Sequence, residues 1–287
     1  MKNAILILLL IIICNETYSQ NSATVCYIAN EGFMVEASGK KILFDGLFGG
    51  FNANWCDVPT SDTKVKLEEA TPPFDNIDLI FISHNHSDHF NKEMVVKHLL
   101  KNSKCKVVCP EQVYKKLESA DGFKDIQNSV LEFTPDINRD TAVIIDGMKI
   151  KIYRLEHSRY MGRDSITGNE INLHQNVENI GFLLETDEIR VFHCGDINPW
   201  NEEQLKKFNL KDENIDIAFL ERLFLTNREG KGIELINEYI KPRNTIFMHI
   251  DPKNREIYKQ IILQISDVLP NVFIFDKSLE CKGIILR

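Results

Sequence analysis

The sequence predicts a mixed α/β fold: two β-rich blocks, each followed by helices, forming one domain of two sheets flanked by helices. Three observations carry this expectation. Apolar runs of strand length, such as 77–82 and 215–220, alternate with segments of helical spacing, such as 91–101 and 255–269. An Asp146-Gly147 turn joins two alternating runs in the second half, the signature of a hairpin. No linker rich in Pro, Gly or Ser and no fixed-period repeat divides the chain. The 287 residues are ample for a sizeable core. Hydrophobic content of 43% and charged content of 26% are ordinary for a globular protein. A net charge of −8 without a basic stripe argues against a nucleic-acid partner.

The N-terminus is a different kind of segment. Met1-Lys2-Asn3 is followed by an apolar run from Ala4 to Cys14, then by Asn15-Glu16-Thr17-Tyr18-Ser19. This is the pattern of a secretory signal peptide, with cleavage after Ser19 and Gln20 as the mature start. The run is shorter than the roughly 18 residues a membrane span requires. The expectation is an exported protein, periplasmic or secreted, with residues 20–287 as its single domain. A lipoprotein acylated at Cys14 ranks lower, because Ile13 is bulky for the preceding position. Six cysteines remain in the mature chain, and an exported protein could pair them. No C-x-x-C spacing occurs, and most of the six read as buried small hydrophobes. Cys105 and Cys109 flank a short strand, and their pairing stays open.

Taken in order, residues 23–37 read as a strand, followed by a Ser38-Gly39-Lys40 turn and a second strand at 41–45, together a hairpin. Residues 46–73 read as a long irregular loop, either a wall over the site or a surface insertion. A third strand follows at 77–82 and a helix at 91–101, with His98 on its surface. Then come a strand at 105–109 and a helix from Pro110 through Leu117. The second block has a hairpin of 141–145 and 148–155, a polar loop at 159–179, and strands at 180–185 and 189–194. It continues with a helix at 202–208, a strand at 215–220, a helix at 233–240 stopped by Pro242, and a strand at 245–248. A helix at 255–269 and strands at 272–275 and 283–286 close the chain.

Chemistry concentrates where these strands end. The third strand runs into His84-Asn85-His86-Ser87-Asp88-His89, three imidazoles and a carboxylate within six positions. Such a cluster points to a metal site, since neutral imidazole and carboxylate are the usual oxygen and nitrogen ligands. Three other strands end in ligand-type residues: His157, Asp196 and His249. Strand ends along one edge of a sheet face one crevice, where a rigid framework can hold ligands from distant parts of the chain. His174, in the polar loop, competes with His157 for the third imidazole position; the strand end makes His157 the stronger choice. Strand alternation turns His193 away from the site and Cys194 toward it, where packing is the simpler role.

His84-x-His86-x-Asp88-His89, then His157, Cys194-Gly195-Asp196 and His249, together with the opening hairpin Gly32 to Gly46, resemble the metallo-β-lactamase superfamily over nearly the whole mature chain. The resemblance implies a four-layer αβ/βα sandwich with a metal pair at one edge. It implies that His84, His86 and His157 bind the first metal and Asp88, His89 and His249 the second. Asp196 would bridge both, with Gly195 allowing the backbone a tight turn. Asp88 and Asp196 are then the carboxylates at the chemistry itself. A ligand set without thiolate suits two divalent ions, zinc first, with manganese or iron as alternatives. The implied activity is hydrolysis by a metal-bridging hydroxide of a small-molecule ester, lactone, amide or phosphodiester. The alternative is a non-catalytic metal- or ligand-binding protein on the same fold. Phe51, Trp55, Tyr160 and Met161 are candidate pocket walls. The substrate and the oligomeric state are not legible.

Overall fold

The computed structural model describes residues 22–51, 54–226 and 230–286; the expected signal peptide and Cys14 lie outside the described residues. The first block contains strands β1 (Ser22–Ala29), β2 (Gly32–Ala37), β3 (Lys40–Phe44), β4 (Leu79–Phe81), β5 (Lys106–Cys109) and β6 (Val130–Glu132). Its helices are α1 (Ser61–Glu68), α2 (Lys92–Lys101), α3 (Glu111–Glu118) and α4 (Phe123–Ile126). The second block contains β7 (Asp140–Ile145), β8 (Met148–Leu155), β9 (Met161–Arg163), β10 (Glu170–Asn172), β11 (Asn179–Glu185), β12 (Arg190–His193), β13 (Ile217–Glu221), β14 (Asn244–Met248) and β15 (Val272–Phe273). Its helices are α5 (Glu202–Phe208), α6 (Lys231–Leu235), which continues as a π-helical turn over Ile236–Ile240, and α7 (Arg255–Ile265). The last strand, β16 (Cys281–Ile285), returns to the first block.

Two seven-stranded sheets result, ordered β16-β1-β2-β3-β4-β5-β6 and β15-β14-β13-β12-β11-β8-β7. They share a plan. Each has an antiparallel part, β16 to β3 in one and β7 to β12 in the other, that passes into parallel strands, β3 to β6 and β12 to β15. The parallel strands β4 and β13 are buried along their whole length, which explains their unbroken apolar runs. The inner faces meet through aromatic rings: Phe33 lies on Phe219 with centroids 4.4 Å apart, and Phe81 on Phe182 at 4.6 Å. Helices α1 to α4 cover the outer face of the first sheet through Leu67, Met94, Val95, Leu99, Val113 and Leu117. Leu205, Leu235, Ile236 and Ile262 do the same for the second. The result is the α/β/β/α layering expected from the sequence.

Four local expectations change. Residues 23–37 are two strands: Asn30 takes φ 48°, a left-handed conformation asparagine tolerates, and Asn30-Glu31 turns the chain back on itself. The sequence hides this turn inside an apolar run. The expected irregular stretch 46–73 contains α1, capped by the Thr60 side chain on the Thr63 N–H. The polar loop 159–179 forms the small hairpin β9–β10. His98 is fully buried, its Nδ1–H donating to the Leu67 carbonyl at 2.6 Å, so it joins α2 to α1 and is no surface residue. Of the cysteines, Cys26 and Cys281 form a disulfide joining β1 to β16 across 255 positions, while Cys56, Cys105, Cys109 and Cys194 are buried and unpaired.

Burial pushes the His98 ring below its ordinary pKa, with the Leu67 carbonyl acting more weakly in the opposite sense. As pH falls, the unfolded chain therefore takes up this proton first. The contribution of His98 is fully present above the unfolded value of about 6.5 and is lost as pH falls toward the lower folded value. His98→Ala is expected to cost about 2 kcal/mol in urea unfolding at about pH 7.5. The gap to the wild type should narrow at about pH 5.5; an equal gap at both pH values would contradict a ring held neutral.

Candidate metal centre

Each ligand-type residue is delivered by the end of a strand or by the turn that follows it. β4 leads through Ile82 and Ser83 to His84, and the turn beyond carries His86, Asp88 and His89. β8 leads to His157, β12 to Asp196 and β14 to His249. Gly195, at φ +54°, lies where the two sheets approach: a Cβ there would fall 2.3 Å from Asn179 Oδ1 and 2.9 Å from Ser83 Cβ. Only glycine satisfies both demands. The Asp196 N–H then donates to Asn179 Oδ1 at 3.1 Å, fixing the carboxylate at the seam.

The donor atoms converge in two groups that share Asp196. In the first, His84 Nε2 lies 3.0 Å from His86 Nδ1 and 3.3 Å from His157 Nε2, and Asp196 Oδ2 lies 3.4 Å from His157 Nε2. In the second, His89 Nε2 lies 3.3 Å from Asp196 Oδ1 and 3.6 Å from Asp88 Oδ2, which is 3.4 Å from His249 Nε2. Asp196 thus faces both groups, Oδ1 toward His89 and Oδ2 toward His157, with His84 and His249 Nε2 each 3.9 Å from Oδ2. All seven predicted ligands are brought together.

The tautomers follow from outward hydrogen bonds. His89 Nδ1–H donates to Asp45 Oδ2 at 2.9 Å, and His157 Nδ1–H to the Ser158 carbonyl at 2.8 Å. Ser83 Oγ–H donates to Asp45 Oδ2 at 2.5 Å, leaving its lone pair to accept from His84 Nδ1–H at 3.0 Å. Each ring therefore turns its Nε2 inward, the arrangement that prepares imidazole for a metal. Asp45 also accepts the Ser83 N–H at 2.7 Å, tying the end of β3 to the end of β4.

Electrostatics separate the two groups. Burial pushes His84, His86 and His157 below their ordinary pKa, His86 to about 4, so all three are neutral and able to ligate at pH 7. Burial alone would lower His89 and His249 too, but Asp196 and Asp88 outweigh it and raise both. Those imidazoles reciprocate: against the effect of burial they hold Asp196 well below the usual carboxylate range and Asp88 below it. The residues also fit a cation by what they leave unmade. His89 Nε2 and Asp196 Oδ1 are buried, lack a hydrogen-bond partner and face each other. A divalent ion satisfies such inward lone pairs, whereas leaving them unmade costs about 1–3 kcal/mol per group.

The centre forms the floor of a cavity of about 710 Å³. Trp55 and Tyr160 line it as expected, and Trp55 stacks on His249 with centroids 6.0 Å apart. Phe51 supports Trp55 from behind at 6.4 Å. Met161 is exposed on β9 and is not part of the wall, because the β9–β10 hairpin turns its side chain outward. His174 stands at the rim, its Nδ1–H on the Ser158 carbonyl at 3.0 Å and its ring 4.3 Å from His157; it belongs to neither donor group. His193 faces away, its Nε2–H donating to the Glu31 carbonyl, and Cys194 is buried by packing.

Four further residues belong to the site beyond those expected from the sequence. Arg222 and Glu221, from the end of β13, line the cavity. Asn30 and Glu31 come from the β1–β2 turn. Asn30 Nδ2 approaches Asp88 Oδ2 at 3.3 Å, its carbonyl accepts the His249 N–H at 3.3 Å, and Glu31 Oε2 lies 3.4 Å from His89 Nδ1. The available signal was the polar Asn30-Glu31-Gly32 break within an apolar strand run.

Comparison with known proteins agrees with this fold. The chain is 23% identical over 237 residues to a UPF0173 metal-dependent hydrolase of Staphylococcus carnosus, covering 79% of this chain and 87% of that one. It is 26% identical over 229 residues to one of Pyrococcus furiosus, covering 78% and 83%. The structure of Igni18, a metallo hydrolase from Ignicoccus hospitalis, shares the fold with a TM-score of 0.56 at 18% identity, covering 91% of this chain and 98% of that one. The family profile described as Beta-lactamase superfamily domain matches residues 32–253, from the start of β2 to just beyond His249. On a match that spans every strand end contributing to the centre, the chain belongs to the beta-lactamase superfamily.

Proposed function

We propose that the protein is an exported, dinuclear metal-dependent hydrolase, with zinc as the first candidate ion, acting on an ester, lactone, amide or phosphodiester bond of a small molecule. The observation that carries this reading is the sharing of Asp196 between two groups of inward-facing donors. In this reading His84, His86 and His157 hold one ion, Asp88, His89 and His249 the other, and Asp196 both. When bound, the ions supply Lewis-acid polarisation of the scissile bond and bring the pKa of water toward neutrality. The chain's own residues do the rest. Asp45 and Ser83 keep His84 and His89 in the ligating tautomer. Asp88 and Asp196 open on the cavity as ionised carboxylates, able to hold the ions and to accept a hydrogen bond from the attacking water. Trp55 and Tyr160 position the substrate and narrow the access of bulk water. The names of the relatives in Staphylococcus carnosus and Pyrococcus furiosus, metal-dependent hydrolases, support hydrolysis over binding without turnover.

Export and a single domain over 20–287, after removal of residues 1–19, are part of the same proposal. The Cys26–Cys281 disulfide supports an oxidising compartment. N-terminal sequencing of the protein from its native host is expected to begin at Gln20; a chain beginning at Met1 would refute cleavage.

Purified protein is expected to hold two divalent ions per chain by elemental analysis and to turn over at least one member of an ester, lactone, amide and phosphodiester panel. His84→Ala and Asp196→Asn are expected to lower kcat/KM by more than about a hundredfold, beyond the range of outer-shell changes. Full activity of His84→Ala would sink the mechanism. Trp55 is half exposed, so Trp55→Ala should leave the melting temperature unchanged and act chiefly on KM. An effect confined to kcat would remove Trp55 from substrate binding.

A further inference from the structure

Glu31 differs from every other carboxylate among the described residues: it is fully buried, and neither Oε1 nor Oε2 has a hydrogen-bond partner. Its closest cationic candidate is His89 Nδ1 at 3.4 Å, but that proton is already given to Asp45 at 2.9 Å. Its other neighbours make the position worse, since Asp196 and Glu221 are carboxylates and Cys194 is an uncharged thiol. In such surroundings burial keeps the carboxyl neutral, and both of its oxygens stay unsatisfied unless a cation takes the place of its proton. The fold nevertheless builds the position firmly. Glu31 sits in a tight turn whose Asn30 takes a left-handed conformation, its own carbonyl is held by His193 Nε2–H at 3.1 Å, and Gly32 beside it has no room for a side chain.

The geometry leaves a place for a cation. Donor atoms on one ion cannot lie further apart than twice the metal–ligand bond, about 4–5 Å. One donor from each of Glu31, His89, Asp196 and His249 lies within 4.8 Å of every other. We propose that Glu31 is a further ligand of the second metal ion, reached through the β1–β2 turn. This rests on the dinuclear reading and adds to it. The second position then gathers carboxylates from Glu31 and Asp196 and imidazoles from His89 and His249, with Asp88 beside the two imidazoles, while the first has three imidazoles and one carboxylate. The first is the nitrogen-rich set that suits zinc. The second is richer in oxygen and suits a harder divalent ion such as Mn²⁺.

The test uses the full-length chain stripped of metal, titrated with Mn²⁺ alone and then with Zn²⁺ alone, with bound ions counted by elemental analysis and free Mn²⁺ by electron paramagnetic resonance. Wild type is expected to bind two ions of either kind. Glu31→Gln should keep the first ion and bind the second at least tenfold more weakly, with a larger loss for Mn²⁺ than for Zn²⁺. Glu31→Asp, which keeps the charge but shortens its reach, should fall between. Metal-free Glu31→Gln should melt close to metal-free wild type, because burial and the surrounding carboxylates keep the Glu31 carboxyl neutral and the amide keeps its size, and should gain less on adding metal. Two ions bound by Glu31→Gln with wild-type affinity would overturn the assignment and leave the dinuclear reading intact. A single ion in wild type would overturn both. A metal-free Glu31→Gln less stable than wild type, with an unchanged gain on adding metal, would make Glu31 a structural residue and also overturn the assignment.

Discussion

The Asp196 carboxylate is buried at the seam between two sheets, and the site is arranged around the need to balance its charge. On the side of Oδ2 stand His84 and His157, held neutral by burial; on the side of Oδ1 stands His89, raised by Asp196 itself. A carboxylate in that position is tolerable only with positive charge beside it. That requirement accounts for the outward hydrogen bonds of the surrounding rings. It also accounts for Gly195, whose missing side chain lets β12 bring Asp196 against the end of β4.

The fold meets this requirement through its doubled plan. Each sheet passes from antiparallel to parallel strands, and the ends of β4, β12 and β14 open on one crevice. The inner aromatic layer, with Phe33 on Phe219 and Phe81 on Phe182, sets the spacing between sheets. Asp45 links that layer to the chemistry: it follows β3, whose Phe44 packs in the core, and its carboxylate orders Ser83 and His89. Packing behind the site thus fixes imidazole orientation in front of it.

The β1–β2 turn gives the site an unexpected share of its support. Asn30 reaches Asp88 and the backbone of His249, and Glu31 reaches His89. Residues from near the start of the described chain therefore join those delivered by β4 and β14. The Cys26–Cys281 disulfide lies in the same pair of strands, so the strand that carries this turn is also covalently tied to the last one.

The sequence by itself determined the strand-end logic. Apolar runs of strand length ending in His84, His157, Asp196 and His249 are legible because strand burial and metal ligation each leave a residue-type signature at fixed spacing. The α/β alternation and the hairpin at Asp146-Gly147 followed from the same patterns, and the seven-residue set gathered at the centre came from the family resemblance those strand ends carry. Local pattern could not show the turn at Asn30-Glu31, the helix within 46–73, the burial of His98 or the pairing of Cys26 with Cys281. Each depends on what a distant segment places opposite: Asp88 and His249 for the turn, the Leu67 carbonyl for His98, β16 for Cys26. Glu31 shows the division most clearly. In the sequence it is one acid among 42; only the folding of two sheets onto one another brings it beside His89, Asp196 and His249, without a hydrogen-bond partner of its own.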